Sequence, residues 1–203
     1  MSARGRVSAR AVLFDLDGVL IDSYEVWFHL LNDAARAFEA PAVSRELFAD
    51  CWGQGVDQDA VRLYPGRTIA ELEEYYEAHF LDHADHLGVD PDAAGVLEEL
   101  RVRGIATALI TQTPSPLARA ILSRAGLVLD AVVGGTDVEN PKPAPDMVLA
   151  AARAIQAPLD ACWVVGDSAY DRDAARAAGV VFVGVRMDGD HRVEKLSEVL
   201  ALV

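Results

Sequence analysis

Short apolar runs that stop abruptly at a polar residue, separated by stretches of helical length, constrain this chain more than any other feature. Ala11-Val12-Leu13-Phe14 stops at Asp15, Ile105-Ala106-Thr107-Ala108-Leu109-Ile110 at Thr111, and Ala161-Cys162-Trp163-Val164-Val165 at Gly166 and Asp167. Weaker copies are Ala131-Val132-Val133 and Val180-Val181-Phe182-Val183-Gly184-Val185. An apolar run of this length without polar alternation reads as a strand buried on both faces. Helical periodicity fills 92–103, 114–125, 144–156 and 169–178, and a last helix is expected near 193–201. Gly104, Gly126 and Gly179 follow three of these as C-terminal stops. Strand and helix in repeated alternation predict an α/β fold, a Rossmann-like parallel sheet covered by helices on both faces.

The segment 21–90 breaks the alternation. It is helical in pattern, has no convincing strand, and is too long for a loop inside a compact domain. Within 24–90 fall 10 of the 14 aromatic residues and four of the five histidines, and 4 arginines stand against 14 acids with no lysine. The expected organisation is a discontinuous α/β core, 1–20 plus 91–203, with an inserted α-helical cap domain over 21–90.

Charge and cysteine content exclude several classes of partner. The net charge of −14 leaves no basic surface for a nucleic acid, which needs clustered cations against its phosphates. Cys51 and Cys162 are too few and too far apart for a disulfide framework or a zinc site. They read as small buried hydrophobes in a reducing cytoplasm. No apolar run approaches a membrane span. The leading MSARGRVSAR carries three arginines without an apolar stretch behind it, and is expected to be a frayed tail and not a signal peptide.

Ligands of an open parallel sheet bind beyond the carboxyl ends of its strands. The residues at those ends are Asp15 and Asp17, Thr111, and the group Gly166-Asp167-Ser168 with Asp171 beyond it. The prolines of Asn140-Pro141-Lys142-Pro143-Ala144-Pro145 hold Lys142 on a stiff, extended loop. Carboxylates gathered at one edge repel each other unless a cation neutralises them. Oxygen donors without His or Cys select Mg²⁺ over zinc. Taken singly, each has a plainer reading: turn acids, a helix N-cap at Asp167, a solvated Lys142.

Taken together, these residues resemble the haloacid dehalogenase-like superfamily. Asp15-Leu16-Asp17-Gly18-Val19 is similar to its nucleophile motif, Leu109-Ile110-Thr111 to its second, Lys142-Pro143-Ala144-Pro145 to its third, and Gly166-Asp167-Ser168-Ala169-Tyr170-Asp171 to its fourth. The likeness covers nearly all of 10–185, and the insertion resembles the cap of the phosphoglycolate phosphatase and β-phosphoglucomutase subgroup. The resemblance implies Asp15 as a nucleophile that forms an aspartyl phosphate, and Asp17 as general acid and base. It implies Mg²⁺ held by the Asp15 carboxylate, the Asp17 backbone carbonyl and Asp167, with Thr111 and Lys142 on the phosphoryl oxygens. Asp171 would orient Lys142 or a metal-bound water. Two positions depart from the pattern: Gln112 stands where many relatives have Asn and is a candidate donor to the substrate phosphate or leaving group over a longer reach, and Val19 replaces the commoner Thr.

The implied enzyme is a phosphatase of a small phosphate monoester, acting as a monomer or homodimer. A phosphomutase uses the same motifs but leans on cap cations, and this cap has no lysine. A phosphonoacetaldehyde-type hydrolase needs such a lysine, a dehalogenase needs neither Asp17 nor a metal, and a non-catalytic module has no use for the full set. In the cap, Trp52-Gly53-Gln54-Gly55-Val56-Asp57-Gln58 is a candidate substrate-reading loop, and Arg45, Arg62 and Arg67 are candidate cations for an anionic substrate tail. His79, His83 and His86 have the spacing of one helical face and, with Asp82 and Asp85, form a candidate transition-metal site against the plainer reading of a polar face.

Overall fold

A computed structural model describes residues 9–203, so all but the last two residues of the expected N-terminal tail lie outside the described residues. In chain order the elements are β1 (Ala11–Phe14), β2 (Ile21–Asp22), α1 (Tyr24–Ala37), α2 (Arg45–Cys51), α3 (Val56–Arg62), α4 (Ile69–His79) and β3 (Gly88–Val89). There follow α5 (Ala93–Val102), β4 (Ala106–Ile110), α6 (Ser115–Ala125), β5 (Ala131–Val133), α7 (Asp146–Ala154), β6 (Cys162–Gly166), α8 (Ala169–Ala178), β7 (Val181–Val185) and β8 (His191–Val193). Tight 3₁₀ turns occupy Phe80–His86 and Leu196–Ala201.

Six strands form one parallel sheet in the order β5-β4-β1-β6-β7-β8. Strand β1 is central, with Phe14 level with Leu109 of β4 and Val165 of β6. The chain order reverses there, which opens a crevice beyond the carboxyl end of β1. Alternation along β1 serves two cores: Val12 and Phe14 pack on one face with α1, α5 and α6, while Ala11 and Leu13 pack on the other with α7 and α8. This double burial is why the strands read as unbroken apolar runs.

The C-terminal expectation needs correction. Val193 does not begin a helix. It pairs with Val185 as the end of an edge strand, is 3% exposed, and is followed by a single 3₁₀ stretch. The Asp190 carboxylate accepts the Phe182 N–H at 2.9 Å and so anchors the turn into β8. Helix α7 starts later than the periodicity suggests because Pro143 and Pro145 stand in its approach, and a proline cannot donate to a preceding turn.

Between β2 and β3 the chain is helical. These two short strands pair antiparallel, Ile21 with Val89 and Asp22 with Gly88, so the inserted helices leave and rejoin the core side by side. The insert's apolar residues, among them Leu30, Phe48, Tyr64, Leu72, Tyr76 and Phe80, belong to one cluster with the α1-side face of the sheet. Tyr64 is tied down as well as buried, its hydroxyl donating to the Leu31 carbonyl at 2.6 Å. The three histidines do not share a helical face. The α-helix ends at His79, and the 3₁₀ turn that follows has a different period. His79 pairs with Asp82, whereas His83 and His86 stack on His29 of α1. Among the described residues no histidine joins a cluster of metal-ligand spacing.

Candidate active site

The crevice collects its side chains from three strand ends, the first turn of α8 and one loop. Lys142 comes from the proline-rich loop and is 4% exposed. Its ammonium donates to Asp15 Oδ1 at 2.7 Å, to Asp171 Oδ1 at 2.7 Å, and to the Ile110 carbonyl at the end of β4 at 3.1 Å. All three ammonium protons are used, in a fixed tripod. Burial alone works to lower the Lys142 pKa, but Asp15 and Asp171 outweigh it and hold the ammonium charged.

Asp171 lies in the first turn of α8. Its second oxygen accepts the Ser168 N–H at 3.2 Å and the Ser168 hydroxyl at 2.5 Å, and Ser168 in turn caps the helix through the Asp171 N–H. With both oxygens engaged, Asp171 fixes Lys142.

Asp15, Asp167 and Asp171 bring carboxylate oxygens within 4.8 Å of one another. Gly18 makes this approach possible. It has φ +77°, and a Cβ there would stand 1.9 Å from Asp167 Oδ2. Only glycine lets the loop after β1 turn in the left-handed region while pressed against that carboxylate. Burial, then the neighbouring acids Asp171 and Asp17, push Asp167 up to about 7. Burial and Asp171 likewise raise Asp15, against the opposing pull of Lys142. A buried carboxylate pair with more negative charge than one lysine balances is a donor set suited to a hard divalent cation. Asp15 and Asp167 retain oxygens for one, while those of Asp171 are committed to Lys142 and Ser168.

Asp17 is held apart from that pair. Its Oδ1 accepts from the Ser23 hydroxyl and from Trp27 Nε1 at 3.1 Å, and its Oδ2 from the Thr113 hydroxyl at 3.4 Å. Burial raises its pKa while these donors, Ser23 first, pull it back. The net result is a carboxyl whose proton affinity lies above the ordinary carboxylate range. Ser23, Trp27 and Thr113 are the residues that sequence reasoning missed. The signal for Trp27 was weak but present: it lies one helical turn beyond Ser23, and both reach Asp17.

Thr111 is 1% exposed and lines the crevice, its hydroxyl accepting the Thr113 N–H at 3.2 Å. That bond leaves the hydroxyl proton free to donate into the crevice. Gln112 lines the crevice as well, and its amide nitrogen spends one proton on the Lys142 carbonyl at 2.8 Å, which braces the lysine loop.

The crevice continues into a cleft of about 670 Å³, its open mouth included, roofed by the inserted helices. The loop Trp52–Gln54 and Val56 line it, as do Trp27, Leu31, Phe48 and Asp59. Arg45, Arg62 and Arg67 do not: Arg45 pairs with Glu25 at 2.6 Å over the Phe28 ring, Arg62 donates to Gln54 Oε1 at 3.1 Å, and Arg67 pairs with Glu71 at 3.6 Å.

The haloacid dehalogenase-like hydrolase family profile matches residues 12–185, most of the chain. The chain belongs to this family. Among curated relatives of this haloacid dehalogenase-like hydrolase, a protein provisionally named pyrophosphatase PpaX from Caldanaerobacter subterraneus is 31% identical over 178 residues, spanning 87% of this chain and 81% of its own. Phosphoglycolate phosphatase of Escherichia coli K12 is 28% identical over 205 residues, with the same coverage of 87% and 81%. The fold also matches that of CbbY from Rhodobacter sphaeroides in complex with phosphate, with a TM-score of 0.83 at 22% identity over 96% of this chain and 98% of that one. The hydrolase is therefore an enzyme of a family whose curated relatives carry phosphatase names. Among the described residues, no helix is long and apolar enough to cross a membrane.

Proposed function

We propose that this hydrolase is a magnesium-dependent phosphatase of a small phosphate monoester and works through a covalent phosphate on Asp15. The observation that carries the proposal is the tripod of Lys142 beside Asp15 and Asp167, at the point where the sheet order reverses. Magnesium, held by Asp15, Asp167 and the Asp17 backbone carbonyl, would screen the anionic nucleophile from the anionic phosphate.

The chain's own groups do the rest. The Thr111 hydroxyl donates to a phosphoryl oxygen, and the Lys142 charge, held beside Asp15, meets the negative charge that builds on the transferring group. An Asp15 oxygen attacks phosphorus, the ester P–O bond breaks, and the departing alkoxide takes a proton from Asp17. Asp17, now a carboxylate, removes a proton from a water that attacks the same phosphorus. The Asp15–phosphorus bond breaks and inorganic phosphate leaves, with Asp15 and Asp17 restored. The helices over 21–90 act as a cap that shuts bulk water out of the cleft.

The test is phosphate release from a panel of phosphorylated metabolites with Mg²⁺ and with chelator. Release that needs the metal and disappears in Asp15→Asn is the expected result. No release from any ester, or release that survives Asp15→Asn, would refute the proposal. Interconversion of a sugar 1-phosphate and 6-phosphate without net release would mark a phosphomutase.

A further inference from the structure

The walls of the cleft carry information that the catalytic edge does not. Of the described residues that line it, Lys142 alone is a cation, and its protons are spent on Asp15, Asp171 and Ile110. The inserted helices contribute no lysine, and each of their four arginines has a partner of its own and does not line the cleft: Arg36 with Asp33, Arg45 with Glu25, Arg62 with Gln54 and the Asp50 carbonyl, and Arg67 with Glu71. Arg186, near the metal-holding acids, donates to the Gly18 carbonyl at 2.6 Å. Among the described residues, a carboxylate or second phosphate on the substrate therefore meets no unpaired cation in the lining of the roof.

What the roof offers instead is an acid among rings. Asp59 lines the cleft and is 7% exposed. It accepts from Gln54 Nε2 at 2.5 Å and from the Tyr76 hydroxyl at 3.0 Å, both neutral donors, and among the described residues it has no ion-pair partner. A carboxylate can accept about four hydrogen bonds, so two places remain. Trp27, Phe48 and Trp52 line the same cleft. Aromatic rings and a buried acid that line one cleft suit an organic cation and disfavour an anion.

We infer that the cleft takes a phosphate monoester whose alcohol part bears an ammonium group, received by Asp59 and the rings of Trp27, Phe48 and Trp52, and that it rejects esters with a second anionic group. The inference rests on the phosphatase reading above only for where the phosphate sits. It departs from what the name of the Escherichia coli relative suggests, because phosphoglycolate carries a carboxylate into this roof.

Three ligands of similar length separate the possibilities: O-phosphoethanolamine, propyl phosphate and 2-phosphoglycolate. Their affinities are measured by calorimetry on Asp15→Asn with Mg²⁺, and their turnover on the wild-type enzyme. The ammonium ester should bind about tenfold more tightly than the propyl ester, and phosphoglycolate about tenfold more weakly than the propyl ester, as one unlike-charge and one like-charge contact in a dry site imply. Asp59→Asn should erase the advantage of the ammonium ester. Equal binding of the ammonium and propyl esters, tighter binding of phosphoglycolate, or an unchanged order in Asp59→Asn would overturn the inference. The wild-type order of kcat/KM tests it without any variant. The expected binding order without any phosphate release supports this inference while refuting the phosphatase reading, and release in the reverse order refutes this inference alone.

Discussion

Replacement of Lys142 by methionine removes the cation that bonds directly to two of the buried acids while keeping the volume of its stem. The ammonium holds Asp15 and Asp171 at 2.7 Å each, with all three groups buried. Charge-assisted bonds of this kind contribute about 1.5–3 kcal/mol apiece, and cutting a buried ion pair on one side costs about 3–5 kcal/mol because the partner stays uncompensated. A loss of about 3–5 kcal/mol lowers the melting temperature by about 6–20 °C for a chain of this size. The loss should be smaller at acid pH, where protonation of Asp15, whose pKa burial raises, relieves the repulsion. Chemical denaturation at pH 5.5 and pH 8 measures it. A cycle with Asp171→Asn isolates the contact: the double variant should recover about 1.5 kcal/mol or more of the summed single losses. Two single losses below about 1 kcal/mol that add without coupling would refute the reasoning, whatever happens to activity.

Gly18→Ala places a Cβ against Asp167 at a left-handed backbone position, so it should lower stability by about 1–2 kcal/mol and abolish the thermal stabilisation by Mg²⁺, both readable in one melting series. Burial raises Asp167 to about 7 and Asp59 to about 6 in the folded state, so the stability they confer is complete below the unfolded carboxyl pKa and is lost as pH climbs through those values. In chelator the melting temperature should therefore respond less to a rise from pH 5 to pH 8 in Asp167→Asn than in wild type, and a parallel pair of curves would refute this. Burial lowers His29 and His83, whose contribution runs the other way and is lost as pH falls below about 6.5. Trp27→Phe removes a donor that favours the Asp17 carboxylate, so the kcat limb governed by Asp17 should move to higher pH, and an unmoved limb would show that the indole does not tune it.

Much of the catalytic edge was legible because a parallel sheet turns sequence order into position. Each apolar run buried on both faces had to deliver its next polar residue to the same edge, so Asp15, Thr111 and Asp167 could be placed together before any coordinate. The rest depended on contacts that no period records. Strand β8 was hidden because His191 and Arg192 are exposed and polar, and only Val193 is buried. The histidines misled because an α-helical spacing was read across a point where the helix tightens to 3₁₀. Arg45, Arg62 and Arg67 were candidates for a substrate tail from their type alone. Their acid and amide partners, which keep them outside the cleft, follow only from how the helices pack. Trp27 reached Asp17 for a similar reason: ten residues of separation say nothing until α1 has folded back over the crevice.

The Trp27 bond also ties together two events that enzymes often keep separate. Asp17 lies in the loop that follows β1, whereas Trp27 rides on α1, at the root of the insert that roofs the cleft. An outward swing of α1 would withdraw that donor while solvent relieved the larger, opposite effect of burial, so the proton affinity of Asp17 would change less than either alone implies. One indole N–H thus couples the state of the acid to the seating of the roof.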